Sequence, residues 1–520
     1  DNRSKKLIGK DICKMSTSLK DYSRLRNESD IRGIAIEGVP GQEVNLTEEA
    51  CRDIARGFAL WLLDRTDKRP LRVAVGRDSR LSGPKLLEWM ADSLSGQGIS
   101  VTDMGLTSTP AMFMTTKTPG YMFDGAVMVT ASHLPYNRNG YKFFTPEGGL
   151  EASDIKSIVS LANGDRTSGL EPAGVDKGEF MQVYSKRLAD MIRTACGEER
   201  PLEGLKIVVD AGNGAGGFYA SGVLEPLGAD TTGSRYLEPD GSFPNHIPNP
   251  ENKEAMESIT QAVLESGADL GIIFDTDVDR AGAVLKDGSE LNRNRLIAML
   301  SAMLLRDHPK TTIVTDSVTS AGLSEFITSH NGVHHRFKRG YRNVINESIR
   351  LNSQGIDSQL AIETSGHGAF KDNYFLDDGA YIVTRLIIEL SRGVKRGYTL
   401  GSLIDGLKEP VESREFRMNL DCEDFKSYGA GIIGELETYA ASRPGWSIAP
   451  SNYEGIRVNL DGEHGNGWFL LRLSLHEPLM PLNIESDEAG GVKKIAGELS
   501  EFILRWDRLD SSSLISAAKG

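Results

Sequence analysis

Three carboxylates stand at alternating positions, Asp275, Asp277 and Asp279, in the run DTDVDR, which ends on Arg280 and directly follows the apolar stretch GIIF. Charges packed that closely repel one another unless a cation sits among them, and an all-oxygen ligand set suits Mg²⁺ or Mn²⁺. A solvated acidic turn needs one or two aspartates, not three in alternation, so the run reads as a divalent-cation loop. A second cluster, TASHLPYNRNGYK at 130–142, follows DGAVMV and sets Ser132 beside His133, Arg138 and Lys142. A serine in a cationic setting suits the carrying or exchange of a phosphoryl group. The competing Ser/His/Asp hydrolase requires a G-x-S-x-G elbow, and no such glycine frame surrounds Ser132. Taken alone, Ser132 reads as a turn or helix-cap residue before it reads as a nucleophile. The third cluster is ETSGHGAF at 363–370. Its Glu363 and Ser365 suit sugar hydroxyls, Gly366 and Gly368 admit close backbone approach, and His367 titrates near neutral pH. A lone histidine is more often structural, so this segment by itself decides little.

Each cluster begins where an apolar run stops. LRVAVG at 71–76, DGAVMVT at 124–130, LKIVVD at 205–210, DLGIIFD at 269–275, TIVTD at 312–316 and QLAIE at 359–363 alternate with helical patterns. That alternation predicts mostly parallel sheets covered by helices on both faces, whose strand ends carry the binding loops. Breaks at SGLEPAGVDKGE, DGSE and LKEPVESRE divide the chain into segments 1–176, 177–288, 289–408 and 409–520. The first three repeat an α/β pattern with mixed or parallel sheets. The last has strands near 454–459, 467–473 and 481–485 followed by a helix from about Asp487, and reads as α+β. The Ser run at 511–513 reads as a frayed tail.

Composition narrows the partners. With 520 residues the chain exceeds one core, and 39% hydrophobic with 25% charged residues excludes a disordered, collagenous or membrane-embedded majority. A net charge of −14 repels polyanions, which argues against a nucleic-acid partner, while an anionic small substrate needs local Arg and Lys. The most apolar helical stretch, Leu296 to Leu305, is far shorter than the ~20 residues a bilayer requires, so no membrane partner is expected. Cys13, Cys51, Cys196 and Cys422 lack the paired spacing of zinc sites or disulfide scaffolds, which points to a reducing compartment. The start at Asp1 rather than Met suggests a processed or trimmed product.

Together the three clusters resemble the α-D-phosphohexomutase superfamily, which includes phosphoglucomutases, phosphomannomutases and phosphoglucosamine mutases. The family's active-serine loop TASHNP, followed by N-G-x-K, is similar to TASHLPYNRNGYK; its metal loop D-G-D-G-D-R to DTDVDR; and its sugar loop G-E-x-S-G-H to IETSGH. SDIRG with Arg32, VGRDSR at 75–80, VVDAGNGAG at 208–216 and PDGSFPNHIPNPE at 239–251 agree, in order, over nearly the whole chain. The resemblance implies four domains around a central cleft and one Mg²⁺ held by Asp275, Asp277, Asp279 and a phosphoserine at Ser132. It further implies a hexose phosphate substrate and a hexose 1,6-bisphosphate intermediate and activator. Lys142 becomes the proton carrier, with His133 and His367 beside it, and Arg280 neutralises charge on the transferring group. Arg32, Lys338, Glu363, Ser365, Arg472, Ser474 and His476 become substrate-binding residues.

Several positions depart from the family. The fourth-domain loop R-x-S-G-T-E-P reads RLSLHEP at 472–478, so Leu475 and His476 replace a glycine and a hydroxyl donor. Leu134 replaces the Asn of TASHNP, and Thr276 and Val278 replace both glycines of the metal loop. A β-branched Val278 disfavours positive φ, which predicts an altered path for that loop. Arg339 and Arg342, beside Lys338 in FKRGYRNV, are compensating cations for the fourth loop. These departures resemble a branch of plant and algal plastids and cyanobacteria, which implies the chloroplast stroma, with cytoplasm as the alternative. A looser distal-phosphate site also opens a second activity, synthesis of glucose 1,6-bisphosphate from a sugar bisphosphate donor. A catalytically silent scaffold is the third reading. Glu363 and Ser365 read hydroxyls common to glucose and mannose, and no residue singles out an amino sugar.

Overall fold

The computed structural model describes residues 20–474 and 477–519, so Cys13 and His476 lie outside the described residues. Four sheets follow one another along the chain. In the first, Arg72–Arg77, Ser100–Leu106 and Gly125–Val129 run parallel, and Arg138–Thr145 and Asp30–Ile34 extend it antiparallel. Alternate residues of these strands feed two cores. Val73, Val75, Val127 and Val129 pack with Ile54, Phe58, Met90 and Ile158, whereas Ala74, Ala126 and Met128 pack with Phe113 and Tyr184 on the opposite face. Burial on both faces explains why these strands read as continuous apolar runs rather than alternating ones.

The second sheet pairs Ile207–Asp210 parallel with Leu270–Phe274, and the third sets Thr312–Asp316 between parallel Val333–Phe337 and Ser358–Ile362. Each of the first three sheets contains the same device, a parallel strand that returns antiparallel on its neighbour. The pairs are Gly125–Val129 with Arg138–Thr145, Leu270–Phe274 with Ala281–Leu285, and Ser358–Ile362 with Gly368–Phe370. The serine, aspartate and sugar loops are the three connections of these pairs.

The fourth sheet is antiparallel throughout, formed by Glu412–Asn419, Trp446–Ile448, Ile456–Leu460, Gly467–Leu471 and Leu479–Ser486, with its own core. Three α/β units followed by an α+β unit is thus the observed fold. One continuous core joins the first three units, running from Ala74 to Ile404. Tyr184 Oη to Asp378 Oδ1 at 2.7 Å and Tyr219 Oη to Thr384 Oγ1 at 2.7 Å tie helices across it. The fourth unit docks through polar contacts and through Tyr453, whose ring packs on Phe337 at 4.7 Å. Arg457 Nη1 donates to the carbonyls of Ser317 at 3.0 Å and Thr319 at 2.9 Å, and Glu454 accepts from the Ser317 hydroxyl.

The charged run LKEPVESRE leads into the strand Glu412–Asn419, where Phe416 and Met418 are buried between polar neighbours, the alternation of a half-buried strand. One reading of the sequence is corrected. The Ser run opens a helix, Ser512–Lys519, because Leu514 is fully buried in the fourth core. No helix among the described residues is long and apolar enough to cross a membrane.

Candidate active site

Ser132 leaves the end of Gly125–Val129 in a left-handed conformation, φ 50°, which a non-glycine residue holds only where its surroundings impose it. Arg80 is the main constraint. Its fully buried guanidinium donates to the carbonyls of Ser132 and Leu134, both at 2.5 Å, Pro135 at 2.7 Å and Arg138 at 2.9 Å, clamping the loop from inside. Asp78 stands 3.4 Å from Arg80 Nε and accepts from Thr130 Oγ1 at 2.7 Å, while Thr130 Oγ1 accepts the Ser132 amide at 2.9 Å. Arg32 Nη1 grips the Thr130 carbonyl at 2.5 Å and Nη2 pairs with Asp30 at 2.8 Å.

The aspartate loop arrives from the second sheet. Thr109 N–H donates to the Asp277 carbonyl at 2.8 Å, Ala215 N–H to Thr276 at 2.8 Å and Gly379 N–H to Val278 at 3.1 Å, so all three α/β units hold it. Val278 adopts φ 68° with its side chain fully buried in the shared core. The expectation that a β-branched residue would avoid this conformation is therefore corrected: packing and the Gly379 bond override an intrinsic cost of ~1–3 kcal/mol.

Ser132 Oγ lies 3.1 Å from Asp275 Oδ2 and 3.2 Å from Arg280 Nη2, and Arg280 Nε lies 3.1 Å from the same Asp275 oxygen. Asp275, Asp277 and Asp279 are buried, with one carboxylate oxygen of each within 4.8 Å of the others. Asp277 Oδ1 and Asp279 Oδ1 are buried without a hydrogen-bond partner among the described residues. Burial first, then the charges of Asp279 and Asp277, hold the Asp275 carboxyl well above the usual range. Orphaned hard oxygens and mutual repulsion both fit a divalent cation at this point.

Lys142 is not in the serine loop but on the return strand Arg138–Thr145, and its Nζ reaches Asp277 Oδ2 at 3.2 Å and also bonds Asp279. Burial opposes its charge, yet those two carboxylates raise it well above an ordinary lysine, so it is an ammonium. His133 is the reverse case. Its Nδ1 is 3.4 Å from Ser132 Oγ, and burial together with the Arg280 charge pushes it down to about 3, so the imidazole is neutral. His367 Nδ1 bonds Asp377 Oδ2 at 2.6 Å, stacks on Tyr341 and lies 3.9 Å from Asp279. Burial lowers its pKa, but Asp377 and Asp279 outweigh that and lift it to about 9.

The sugar loop meets a neighbouring loop at 338–340. Glu363 Oε1 accepts Gly340 N–H at 2.6 Å and Ser365 Oγ donates to Glu363 Oε2 at 3.3 Å. Arg339 Nε lies 3.4 Å from Asp316 and its amide donates to Glu454 of the fourth unit at 3.1 Å, while Lys338 is exposed. Arg472 is half-buried among the charges of Glu454, Arg339, Glu415 and Asp316, and its Nε has no partner among the described residues. Ser474 Oγ accepts Glu477 N–H at 3.3 Å. Arg342, one of the two expected compensating cations, instead bonds Gly149 and Glu151 of the first unit. Sequence reasoning quoted VGRDSR without assigning Arg80 a task, and it passed over Thr109, Tyr341, Asp377 and Glu454. No signal in the sequence marks Arg80, whose burial and carbonyl partners appear only in the structure.

Comparison with known proteins agrees with this geometry. Residues 23–167, 182–288 and 292–409 match the phosphoglucomutase/phosphomannomutase alpha/beta/alpha domains I, II and III. The chain is similar to a phosphomannomutase/phosphoglucomutase of Pseudomonas putida, 31% identical over 481 residues that cover 92% of this chain and 96% of the relative. It is also similar to a phosphoglucomutase of Neisseria gonorrhoeae, 28% identical over 470 residues that cover 90% and 95%. A solved phosphoglucomutase/phosphomannomutase family protein from Burkholderia thailandensis superposes with a TM-score of 0.75 at 26% identity, covering 93% of this chain and 98% of its own. A chain matched in three consecutive domains, with serine, aspartate and sugar loops meeting at one point, belongs to the phosphoglucomutase/phosphomannomutase family of the α-D-phosphohexomutase superfamily.

Proposed function

We propose that the chain is a phosphohexomutase that moves a phosphoryl group between the 1- and 6-positions of a hexose phosphate, glucose foremost, by way of Ser132. One observation carries this reading: Ser132 Oγ sits between the Asp275 carboxylate and the Arg280 guanidinium, 3.1 and 3.2 Å away. In the forward step the bond from phosphorus to Ser132 Oγ breaks, a bond to a sugar hydroxyl oxygen forms, and the hydroxyl proton leaves to a base. His133 is neutral and 3.4 Å from Ser132 Oγ, so it can relay that proton to the departing Oγ, though a pKa of about 3 makes it too weak a base to keep it; the Lys142 ammonium is the matching proton donor for the return step. Arg280 faces the oxygen on which charge gathers as the group departs. Asp275, Asp277 and Asp279 would hold Mg²⁺, which when bound supplies further neutralisation of phosphoryl charge. Glu363 and Ser365 present an acceptor and a hydroxyl to the sugar, and Arg339 and Arg472 supply positive charge toward the fourth unit.

Synthesis of glucose 1,6-bisphosphate is the second reading, favoured by Leu475 and His476 where the family pattern R-x-S-G-T-E-P has glycine and threonine, a change that would loosen the hold on the bisphosphate. Glucose, mannose and glucosamine 1-phosphates, each with Mg²⁺ and a bisphosphate activator, test both. The mutase reading expects the 6-phosphate of glucose with little free bisphosphate. Accumulation of free bisphosphate from a second sugar bisphosphate supports the synthase reading, and no turnover of any sugar contradicts both.

A further inference from the structure

The segment PDGSFPNHIPNPE has no part in the chemistry above, yet it ends against Arg280. Asn249 Oδ1 accepts from Arg280 Nη1 at 3.2 Å, and Glu251 lies 3.9 Å from the same nitrogen. These contacts meet the guanidinium on the nitrogen not used for Ser132. The loop that carries them is anchored three residues earlier by His246, which is buried.

Both ring nitrogens of His246 face acceptors. Nε2 lies 3.0 and 3.1 Å from the two oxygens of Asp210, and Nδ1 lies 3.0 Å from the carbonyl of Ile247. Asp210 Oδ1 also accepts the Gly212 amide at 2.9 Å and Oδ2 accepts the Ser258 hydroxyl at 2.7 Å, so both oxygens already serve as acceptors and Nε2 is the donor the pair calls for. A neutral imidazole carries one N–H and satisfies one of the two sides, whereas an imidazolium satisfies both. Burial disfavours that charge, but Asp210 and the Ile247 carbonyl outweigh it and raise the pKa above that of an ordinary histidine. The ring has a fitted seat. Tyr236 meets it edge-on at 5.4 Å, and at Gly212, φ 50°, a Cβ would stand 2.7 Å from Pro248 and 3.1 Å from the imidazole.

We propose that His246, bridging Asp210 and its own chain as an imidazolium, is a positioning residue for Arg280: it fixes the 246–251 loop so that Asn249 and Glu251 hold the guanidinium on Ser132. The inference rests on the reading of Ser132 as the phosphoryl carrier, and it assigns a task to a loop that supplies none of the three aspartates of the cation loop. Within the loop, the rigid segment from His246 to Asn249 contains one proline, Pro248, and Asn249 is further fixed by accepting Glu251 N–H at 3.0 Å. Loss of the bridge would leave Arg280 with its contacts to Asp275 but without the lateral contacts that aim Nη2.

The test uses the full chain and the variants His246→Gln and Asn249→Ala, the latter removing the acceptor shared by Arg280 Nη1 and Glu251 N–H without touching the buried bridge. Expected are a fall in kcat of about 10- to 100-fold in both, with KM within about twofold of wild type, as for a misaimed catalytic group. Asn249→Ala should keep the wild-type melting temperature, and the double variant should lose no more than the worse single one. Crystal structures of wild type and His246→Gln supply a readout independent of turnover: the Arg280 to Ser132 contact should be present in the first and lost in the second. Arg280 still on Ser132 in His246→Gln, or kcat unchanged in Asn249→Ala, overturns the proposal. If wild type turns over no hexose phosphate, the mutase reading fails, and the proposal is decided by the placement of Arg280 alone.

Discussion

Ser132 Oγ and Asp275 Oδ2 stand 3.1 Å apart although 143 positions separate them in the chain. A hydroxyl from the first unit and a carboxylate from the second meet because each ends a parallel strand whose return strand is held in the same way.

Arg80→Met removes a buried guanidinium that bonds four carbonyls of the serine loop. Those carbonyls then lose a charged donor and buried Asp78 loses its counter-charge, at a cost of ~3–5 kcal/mol. Denaturant unfolding should show that loss, and kcat should drop by at least ~10²-fold because Ser132 no longer holds its left-handed conformation. A variant as stable and as active as wild type would contradict the clamp.

Gly379→Ala tests the support under the aspartate loop. A Cβ there would lie 2.6 Å from the carbonyl carbon of Arg280 and 2.9 Å from the Val278 oxygen, both backbone atoms that cannot swing aside. Overpacking of this kind costs ~1–3 kcal/mol. The expected result is a lower melting temperature together with weaker Mg²⁺ dependence of activity, read by thermal unfolding and Mg²⁺ titration.

Mg²⁺ should raise the stability of the wild type, since it relieves three mutually repelling buried carboxylates. At a concentration 100 times its dissociation constant the gain is ~2.7 kcal/mol. Asp277→Asn should lose most of that gain, measured by thermal unfolding with and without the ion. Chelation should abolish activity reversibly.

Much of this site is legible in the sequence, and the limits of that legibility have physical causes. Asp275, Asp277, Asp279, Ser132 and Glu363 announce themselves because polar residues end apolar strands, a pattern of residue type and spacing. Arg80 does not, because its partners are backbone carbonyls, which every residue carries. Lys142 is visible as a cation but not as part of a strand, since NGYKFF alternates too briefly against the preceding turn. The docking of Glu454 on Ser317, 137 positions away, has no local signal at all. Val278 was misjudged because propensity ignores the buried seat that holds it.

Glu363 gives the site a pH dependence. Burial foremost, then the Asp316 charge, lift its carboxyl to about 7, against the opposing pull of His367 and Arg339. A carboxyl raised from 4.5 binds more protons folded than unfolded between about 4.5 and about 7. Its contribution to stability is therefore full below the lower value and lost as pH rises through the upper one. Sugar binding runs the other way, because the ionised form is the better acceptor. Below pH ~7, kcat/KM should fall with a limb approaching tenfold per unit, and Glu363→Gln should show a lower plateau without that limb.

The most direct measurement is intact-protein mass spectrometry after incubation with glucose 1,6-bisphosphate and Mg²⁺, alongside turnover of glucose 1-phosphate. Wild type should gain one phosphoryl group, mapped to Ser132, and Ser132→Ala should gain none and lose activity by at least ~10³-fold. Undiminished turnover by Ser132→Ala, or a wild type that turns over substrate while its phosphate maps elsewhere, would contradict the account. A chain that neither takes up phosphate nor turns over sugar would instead be the silent scaffold.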